Sequence, residues 1–182
     1  PFTVGKHDKV RLPMLIHGAT KYKVPLVYVN QVGGNDDLVF DGNSTVINAQ
    51  GKRIAQAAAF EEELLVVDIE NSGVLVPRET CTPIETVLQA LTLGLRDYVL
   101  KCGFKKVIIG LSGGIDSAVT AAVAVEALGK ENVIGVLMPS QFSSQGSIDD
   151  AVQLSRNIGV AHKIIPIKDI FETYQNTLKP EF

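Results

Sequence analysis

The sequence predicts an α/β protein made of two consecutive parts. In residues 83–182, short apolar strands alternate with helical segments, a pattern typical of a parallel, doubly wound sheet. Residues 1–72 instead contain several short strands and glycine-bearing turns after one helical segment. The chain has 182 residues and is 46% hydrophobic and 20% charged, which is enough apolar material for a folded core.

Residues 1–72 are predicted to be β-rich after an initial helix. The helix spans 8–22, with Pro13 in its first turn. Residues 30–37 are predicted to form a polar loop, and 48–52 a hairpin turn in which Gly51 takes a positive φ. Strands are predicted at 26–29, 38–40, 44–48 and 63–69. These strands are too few to close a core alone.

A linker at residues 73–82 is predicted to separate the two parts, because helix-start signals follow it. Thr82, Pro83 and Glu85 have the spacing of a capping box with proline at the first helical position. The helix should continue to about Lys101, with Gly103 as its C-terminal cap. Its predicted apolar stripe consists of Val87, Leu88, Leu91, Leu95, Tyr98 and Val99.

The rest of the chain is predicted to alternate between strands and helices. Strands are expected at 106–111, 133–138 and 162–167, and helices at 116–128, 147–158 and 169–178. The helix at 118–128 is apolar almost all round, so we expect it to be buried on two sides, by the domain itself or by a second subunit. Ser147 and Asp150 are expected to cap the next helix.

The most informative stretch is SGGIDS, residues 112–117, between a predicted strand and a predicted helix. Such a turn leaves backbone N–H groups unpaired at the positive end of a helix dipole, which suits a phosphate. The stretch has neither the lysine of a Walker A loop nor a G-x-G-x-x-G pattern. Asp116 places a carboxylate where a phosphate-bound Mg²⁺ would need one. The nucleotide-binding residues predicted here are Gly110, Leu111, Ser112, Gly113, Gly114, Ile115, Asp116 and Ser117.

Three motifs resemble known families. SGGIDS resembles the signature of the ATP pyrophosphatases, which split ATP into AMP and pyrophosphate while adenylating a substrate. MPSQFSSQGSIDDA, residues 138–151, is similar to a loop of NAD synthetases, and the resemblance implies that Met138 lies against the adenine of ATP. YVNQVGGNDDLVFDG, residues 28–42, resembles the last third of a nitrilase-type amidase domain. Together the motifs resemble the glutamine-dependent NAD synthetases.

This resemblance implies a fold and a reaction. The fold would be the C-terminal part of a nitrilase-type αββα domain, followed by the N-terminal part of an ATP pyrophosphatase domain (adenine nucleotide hydrolase-like), both incomplete. The reaction would be ATP-dependent amidation of deamido-NAD to NAD through an adenylated intermediate, with Mg²⁺ as cofactor and ammonia supplied by glutamine or taken up free. The chain would be an internal piece of a longer enzyme, and alone we expect it to be inactive.

The glutaminase residues are also assigned by the resemblance. The family's Cys–Glu–Lys triad lies upstream of the segment matched here, so no catalytic residue is expected in this chain. Cys81 and Cys102 are expected to be ordinary thiols. Lys6 matches a basic residue that contacts the glutamine substrate in the family.

The composition limits which binding partners and which cellular compartment are expected. The net charge of −3 argues against a nucleic-acid-binding surface, and no apolar run is long enough to cross a membrane. The two distant cysteines favour a reducing cytoplasm, and we expect a homo-oligomer. Three alternatives stay open. The first is another SGGxDS amidotransferase, such as the GMP synthetase type, although the nitrilase-like segment disfavours it. The second is a non-catalytic adenine-nucleotide-binding module. The third is an amidase whose SGGIDS domain is only regulatory.

Overall fold

The computed structural model describes residues 1–70 and 81–180. The chain divides into two compact units, Pro1–Tyr98 and Val99–Phe182. The predicted linker at 73–82 lies outside the described residues except for Cys81 and Thr82.

The first unit contains two small antiparallel sheets and two longer helices. A short π-helix, His7–Arg11, leads into helix α1, Leu12–Tyr22, so the predicted N-terminal helix is confirmed with Pro13 in the first turn of α1. The strands are β1 (Leu26–Tyr28), β2 (Val32–Asn35), β3 (Leu38–Asp41), β4 (Thr45–Ile47) and β5 (Arg53–Gln56). One sheet has the order β1-β4-β5, and β2 and β3 form a separate hairpin. Gly51 has φ 80°, as predicted for its turn.

Two sequence predictions in this unit are wrong. Residues 30–37 are not one polar loop, because β2 pairs with β3 across a turn in which Asp36 has a left-handed φ of 56°. The two glycines of β2 hid this strand, since glycine has a low strand propensity. Residues 63–69 are not a strand. Leu64 and Val66 are 93% and 89% exposed, and no strand in the described ranges pairs with them.

Helix α2, Pro83–Lys101, begins at the predicted capping box, and its residues up to Tyr98 belong to the first unit. The Thr82 N–H donates to the Glu85 carboxylate at 2.7 Å, and the Glu85 N–H donates back to the Thr82 hydroxyl at 3.3 Å. The Thr82 hydrogen bonds lower the pKa of Glu85.

The buried face of α2 matches the predicted apolar stripe only in part, since Val99 of that stripe is buried as predicted. Ala90 and Leu93 are buried and pack with Phe60, whereas Leu88 and Leu91 are 44% and 53% exposed. The small residue Gly94 lets the helix lie close to the β2–β3 hairpin. Ala90 and Gly94 therefore let the helix approach the hairpin closely, while Leu93 supplies a large buried side chain of the contact.

The second unit is a parallel α/β layer, as predicted. Gly103 caps the C-terminus of α2, with a φ of 78° and an N–H that donates to the Leu100 carbonyl at 3.0 Å. The elements that follow are β6 (Val107–Gly110), α3 (Ile115–Leu128), a 3₁₀ turn (Lys130–Asn132), β7 (Val133–Leu137), α4 (Gln145–Asn157), β8 (Ala161–Ile164) and α5 (Lys168–Leu178). Strands β6, β7 and β8 are adjacent in that order and parallel.

Small residues let α3 and α4 pack closely on the sheet. Leu111 and Leu137 form the core of this layer with Ala121 of α3 and Ala151 of α4. The other side of α3 is open among the described residues, because Ile115 and Val119 are 75% and 53% exposed. Among the described residues, therefore, α3 is covered on one side.

Helix α4 starts earlier than predicted. Its cap is Ser144, whose hydroxyl accepts a hydrogen bond from the Ser147 N–H at 3.1 Å. The prediction that Ser147 and Asp150 cap this helix is therefore wrong.

Candidate functional site

The SGGIDS residues form the turn between β6 and α3. Leu111 follows the strand and is buried, and its N–H donates to the Val136 carbonyl of β7 at 2.9 Å. The chain then turns, and Gly114, in an extended conformation, is the N-cap of α3. The loop therefore lies at the carboxyl end of a parallel strand, where open α/β sheets bind their ligands.

Position 113 requires a glycine, both because of its backbone conformation and because a neighbouring backbone lies close to it. Its φ is 81°, and a Cβ atom at this position would lie 2.8 Å from the Cα of Ser147. The glycine turn therefore touches the backbone of the first turn of α4. The two loops that follow β6 and β7 meet at this point.

The two serines of the motif hydrogen-bond within the loop. The Ser117 hydroxyl accepts from the Ser112 N–H at 3.2 Å and donates to the Gly114 carbonyl at 3.0 Å. The Ser112 hydroxyl accepts from the Gly114 N–H at 3.2 Å. Two of the backbone N–H groups expected to point outward are thus already paired inside the turn, and the hydroxyls hold its shape.

The free donors of the site are in the first turn of α3. The N–H groups of Ile115, Asp116 and Ser117 precede the first hydrogen bond of the helix, which the Ala118 N–H makes to Gly114. They have no acceptor in the parts of the chain that the structure describes. Three donors at the positive end of a 14-residue helix suit an anion.

Asp116 is exposed, and its carboxylate has no partner among the described residues. Across residues 1–70 and 81–180, no group of three or more His, Cys, Asp or Glu side chains could hold a metal ion. A Mg²⁺ ion at Asp116 would therefore need further oxygen ligands from phosphate and water, which is how this ion is usually bound.

A cavity of about 330 Å³ opens at the carboxyl ends of β6 and β7. Its lining combines apolar side chains with serine hydroxyls, namely Leu111, Ser112, Leu137, Met138, Pro139, Phe142, Ser143, Ser144, Ser147 and Ile148. Met138 is 52% exposed, and a Cβ atom on Gly110 would lie 3.6 Å from its methyl group. Such a lining suits a ligand with both a flat apolar group and polar substituents.

The structure brings only some of the predicted site residues to this cavity. Leu111, Ser112 and Met138 line it, while the predicted residues from Gly113 to Ser117 form the neighbouring turn. Sequence reasoning missed Phe142, which lines the cavity and meets the ring of Phe171 edge-on at 5.6 Å. Its position just after a parallel strand was the available signal.

The remaining predicted residue, Lys6, lies in the first unit, where its ammonium group donates to the Pro1 carbonyl at 3.4 Å. Its neighbour His7 lines a second cavity of about 370 Å³, together with Asp41, Arg53 and Cys81. Both ring nitrogens of His7 are buried without a hydrogen-bond partner in the described residues, and burial lowers the pKa of this imidazole. Cys81 accepts a hydrogen bond from the Gln89 amide at 3.7 Å, and Cys102 is exposed.

Comparison with protein families shows to which family each of the two parts of the chain is similar. The NAD synthase family model matches residues 87–182, which is more than half of the chain. This chain belongs to the NAD synthase family. In this NAD synthase chain, residues 2–75 match a second model, that of the carbon-nitrogen hydrolases. The predicted order of a nitrilase-type segment followed by a synthetase segment is thereby confirmed.

Named relatives agree with this NAD synthase assignment. The chain is 50% identical to a glutamine-dependent NAD(+) synthetase of Synechocystis sp. and 43% identical to one of Thermotoga maritima, in each case over its whole length. It spans 33% and 38% of those two proteins. The structure of the glutamine-dependent NAD+ synthetase from Acinetobacter baumannii in complex with ADP superposes with a TM-score of 0.94 at 41% identity, covering 100% of this chain and 35% of that one.

Proposed function

We propose that the full-length protein containing this chain makes NAD from deamido-NAD, with ATP as the activating substrate and glutamine or free ammonia as the nitrogen source. The observation that carries the proposal is the match of one chain to a carbon-nitrogen hydrolase model and then to an NAD synthase model. A carboxylate is a poor electrophile, and adenylation by ATP supplies a leaving group. Ammonia released by the hydrolase part then displaces AMP.

The residues around the SGGIDS turn would bind ATP. We assign the phosphates to the free N–H groups of Ile115, Asp116 and Ser117 in the first turn of α3, with Gly113 and Gly114 allowing close approach. Met138 and the cavity beside it would take the adenine, whose flat apolar faces suit this lining. The ADP complex of the Acinetobacter baumannii relative supports nucleotide binding by this kind of chain.

Asp116 is the residue that would hold Mg²⁺. Its carboxylate is exposed beside the proposed phosphate donors, and it has no partner among the described residues, so it fits a cation that is also bound by phosphate oxygens. When bound, Mg²⁺ offsets the charge that develops on the leaving pyrophosphate. The donors of α3 act on the same charge through fixed dipoles.

Lys6 is proposed to contact the glutamine substrate in the hydrolase part. Its assignment rests on the family resemblance, in which a basic residue follows shortly after a Ser-Pro-Phe segment, and Pro1 and Phe2 match the last two residues of that segment. Lys6→Ala should raise the KM for glutamine and leave the reaction with free ammonia unchanged. Equal effects on both nitrogen sources would contradict this role.

We further propose that the full-length enzyme is a cytoplasmic homo-oligomer that binds neither nucleic acid nor membranes. The exposed Ile115 and Val119 on α3 support association, and the two unpaired cysteines support a reducing compartment. Among the described residues, no helix is long and apolar enough to cross a membrane. Light scattering of the full-length enzyme with and without Val119→Asp would test the oligomer.

The proposed reaction is tested by following all its products. The full-length protein should convert deamido-NAD to NAD with Mg·ATP and either ammonia or glutamine, and should release AMP and pyrophosphate in step with NAD. Nucleotide binding without AMP formation would instead indicate a non-catalytic module. Glutamine hydrolysis without NAD formation would indicate an amidase with a regulatory second domain.

A further inference from the structure

Phe142 presents a large uncovered aromatic ring to the cavity at the carboxyl ends of β6 and β7. The residue is 77% exposed, and it lines the cavity of about 330 Å³ that Ser112 of the SGGIDS turn also lines. A phenylalanine ring carries a large apolar surface, and contact with water leaves that surface in an unfavourable state. A ligand that entered the cavity would cover it.

The loop that carries Phe142 is closed by its own hydrogen bonds. The Ser140 N–H donates to the Ser143 hydroxyl at 3.0 Å, and the Phe142 N–H donates to the Ser140 hydroxyl at 3.2 Å. The Ser143 N–H donates to the Ser140 carbonyl at 3.2 Å. These bonds fix the backbone from which the ring of Phe142 projects.

A second aromatic side chain, Phe171 of α5, sets the orientation of the Phe142 ring. The two ring centroids lie 5.6 Å apart, and the ring planes are at 90° to each other. This is the edge-to-face arrangement that aromatic pairs favour. Whichever ring presents its edge, at least one face of the Phe142 ring stays clear of Phe171.

The start of α5 is tied to the segment after β7, which keeps Phe171 beside Phe142. Ile167, the N-cap of α5, donates its N–H to the Pro139 carbonyl at 2.9 Å. All four residues belong to the second unit. The aromatic pair and the cavity wall that it forms are therefore features of one compact body.

The ligand that fits this wall is a flat ring joined to phosphates. A free aromatic face favours stacking with a heterocycle, and sulfur, which Met138 supplies in the same cavity, also packs favourably against such rings. Ser112 extends the cavity lining to the SGGIDS turn, where the free N–H groups of α3 begin. A stacked base and its phosphates would thus be bound at the ends of two neighbouring strands.

We propose that Phe142 is a specificity-determining residue for ATP, on whose ring face the adenine stacks, and that Phe171 is a positioning residue for that ring. The proposal rests on the ATP site of the proposed function and deepens it, because Met138 alone offers no aromatic face. It assigns affinity for the base to Phe142 and affinity for the phosphates to the α3 donors.

The test separates the base from the phosphates by calorimetry on the full-length enzyme. Phe142→Ala should raise the Kd of Mg·ATP about tenfold, as expected for a lost base–aromatic stack, and should leave the Kd of tripolyphosphate, which has no base, unchanged. Phe142→Tyr keeps the ring and should bind ATP like the parent. Phe142→Leu keeps an apolar side chain without a ring and should bind ATP as weakly as Phe142→Ala.

The matched control is Phe104→Ala, for which we expect no change. Phe104 is 61% exposed and belongs to the second unit, but it does not line the cavity. A second variant keeps the inference testable if Phe142→Ala does not fold. Phe171→Leu retains an apolar contact but removes the ring that orients Phe142, so it should raise the Kd of ATP by a smaller factor.

Several results would overturn the inference. Equal weakening of ATP and tripolyphosphate would show that Phe142 only supports the loop, and equal ATP affinity of Phe142→Leu and Phe142→Tyr would show an apolar contact without stacking. A raised KM for deamido-NAD with unchanged ATP affinity would place a different ring on Phe142. An unsubstituted enzyme that binds ATP but makes no NAD would overturn the proposed reaction, whereas the inference is decided by the Kd values alone.

Discussion

The guanidinium of Arg11 donates two hydrogen bonds of 2.9 Å to the carboxylate of Asp41 in the interior of the first unit. The two side chains are 6% and 5% exposed. The Asn30 amide donates a further bond of 2.9 Å to Asp41. Burial alone would raise the pKa of Asp41, but the hydrogen bonds from Arg11 outweigh it and hold this pKa below its ordinary value of 3.8. The pair thereby fastens the N-terminal helix to β3.

Replacing Asp41 with alanine should strongly destabilise the first unit. The substitution leaves the charge of Arg11 buried without a partner, so we expect a loss of about 3–5 kcal/mol in the free energy of unfolding. Urea unfolding measures it. The control is Glu172→Ala, which breaks an exposed pair with Lys168 at 3.8 Å and should cost less than about 1 kcal/mol. Similar losses for the two variants would contradict the buried ion pair.

The pH dependence of stability should carry a contribution from His7. Burial lowers its pKa below the ordinary 6.5, the charges of Asp8 and Asp41 oppose this shift, and those of Arg11 and Arg53 reinforce it. The unfolded chain therefore takes up a proton near pH 6.5 while the folded chain does not. The contribution of His7 to the folding stability is therefore present in full above pH 6.5, and it is lost as the pH falls towards the lower pKa that His7 has in the folded state.

Thermal unfolding between about pH 5 and pH 8 checks this prediction on His7→Gln beside the parent protein. The difference in Tm between the two should change as the pH falls below 6.5. His17→Gln is the control, since this histidine lies on the exposed side of α1. A His7 variant whose melting curve tracks the parent at every pH would show that the imidazole is not held neutral by burial.

Gly113→Ala should disrupt the proposed nucleotide site. A left-handed φ costs a non-glycine residue about 1–3 kcal/mol, and the added methyl also meets the Ser147 backbone. Gly103→Ala is the matched control, because its φ of 78° imposes the same strain with no atom within 4 Å of the added Cβ. Calorimetry should show lost ATP binding only for Gly113→Ala. Unchanged ATP affinity would contradict the site.

Asp116→Ala should weaken Mg·ATP binding. Calorimetric titration of this chain would show it, since the variant loses the carboxylate proposed as the Mg²⁺ ligand. Glu126→Ala removes an equal charge from an exposed position of the same helix and should bind like the parent. Equal affinities for the parent and Asp116→Ala would refute the metal assignment.

Ser144→Ala should destabilise the second unit by about 1 kcal/mol, because the N-cap of α4 is lost. Asp150→Ala should leave stability nearly unchanged, since this side chain is exposed and does not cap the helix. Thermal melting distinguishes the two. A larger loss of stability for Asp150→Ala than for Ser144→Ala would instead support the cap predicted from the sequence.

Sequence reasoning worked best where local pattern and tertiary context agree. The strands of the parallel sheet were predictable because Val107, Ile108 and Ile109 form a β-branched run between helices. Prediction failed where a neighbour decides the outcome. Residues 63–69 have strand-like composition but no described pairing strand, and β2 is a strand because β3 pairs with its glycines.

The site was predictable in part for the same reason. SGGIDS marks the turn by its own chemistry, whereas the pairing of Ser112 with Ser117 depends on the exact path of that turn. The contact of Gly113 with Ser147 joins positions far apart in sequence, so no local pattern indicates it. The lining role of Phe142 likewise depends on how the loop after β7 folds back.

The internal bonds of the SGGIDS turn bear on how fast a ligand can be captured. Because Ser112, Gly114 and Ser117 already hold one another, the free donors of α3 are aligned before any anion arrives. Capture then needs no slow ordering step, so association should follow a single exponential whose rate rises linearly with nucleotide concentration.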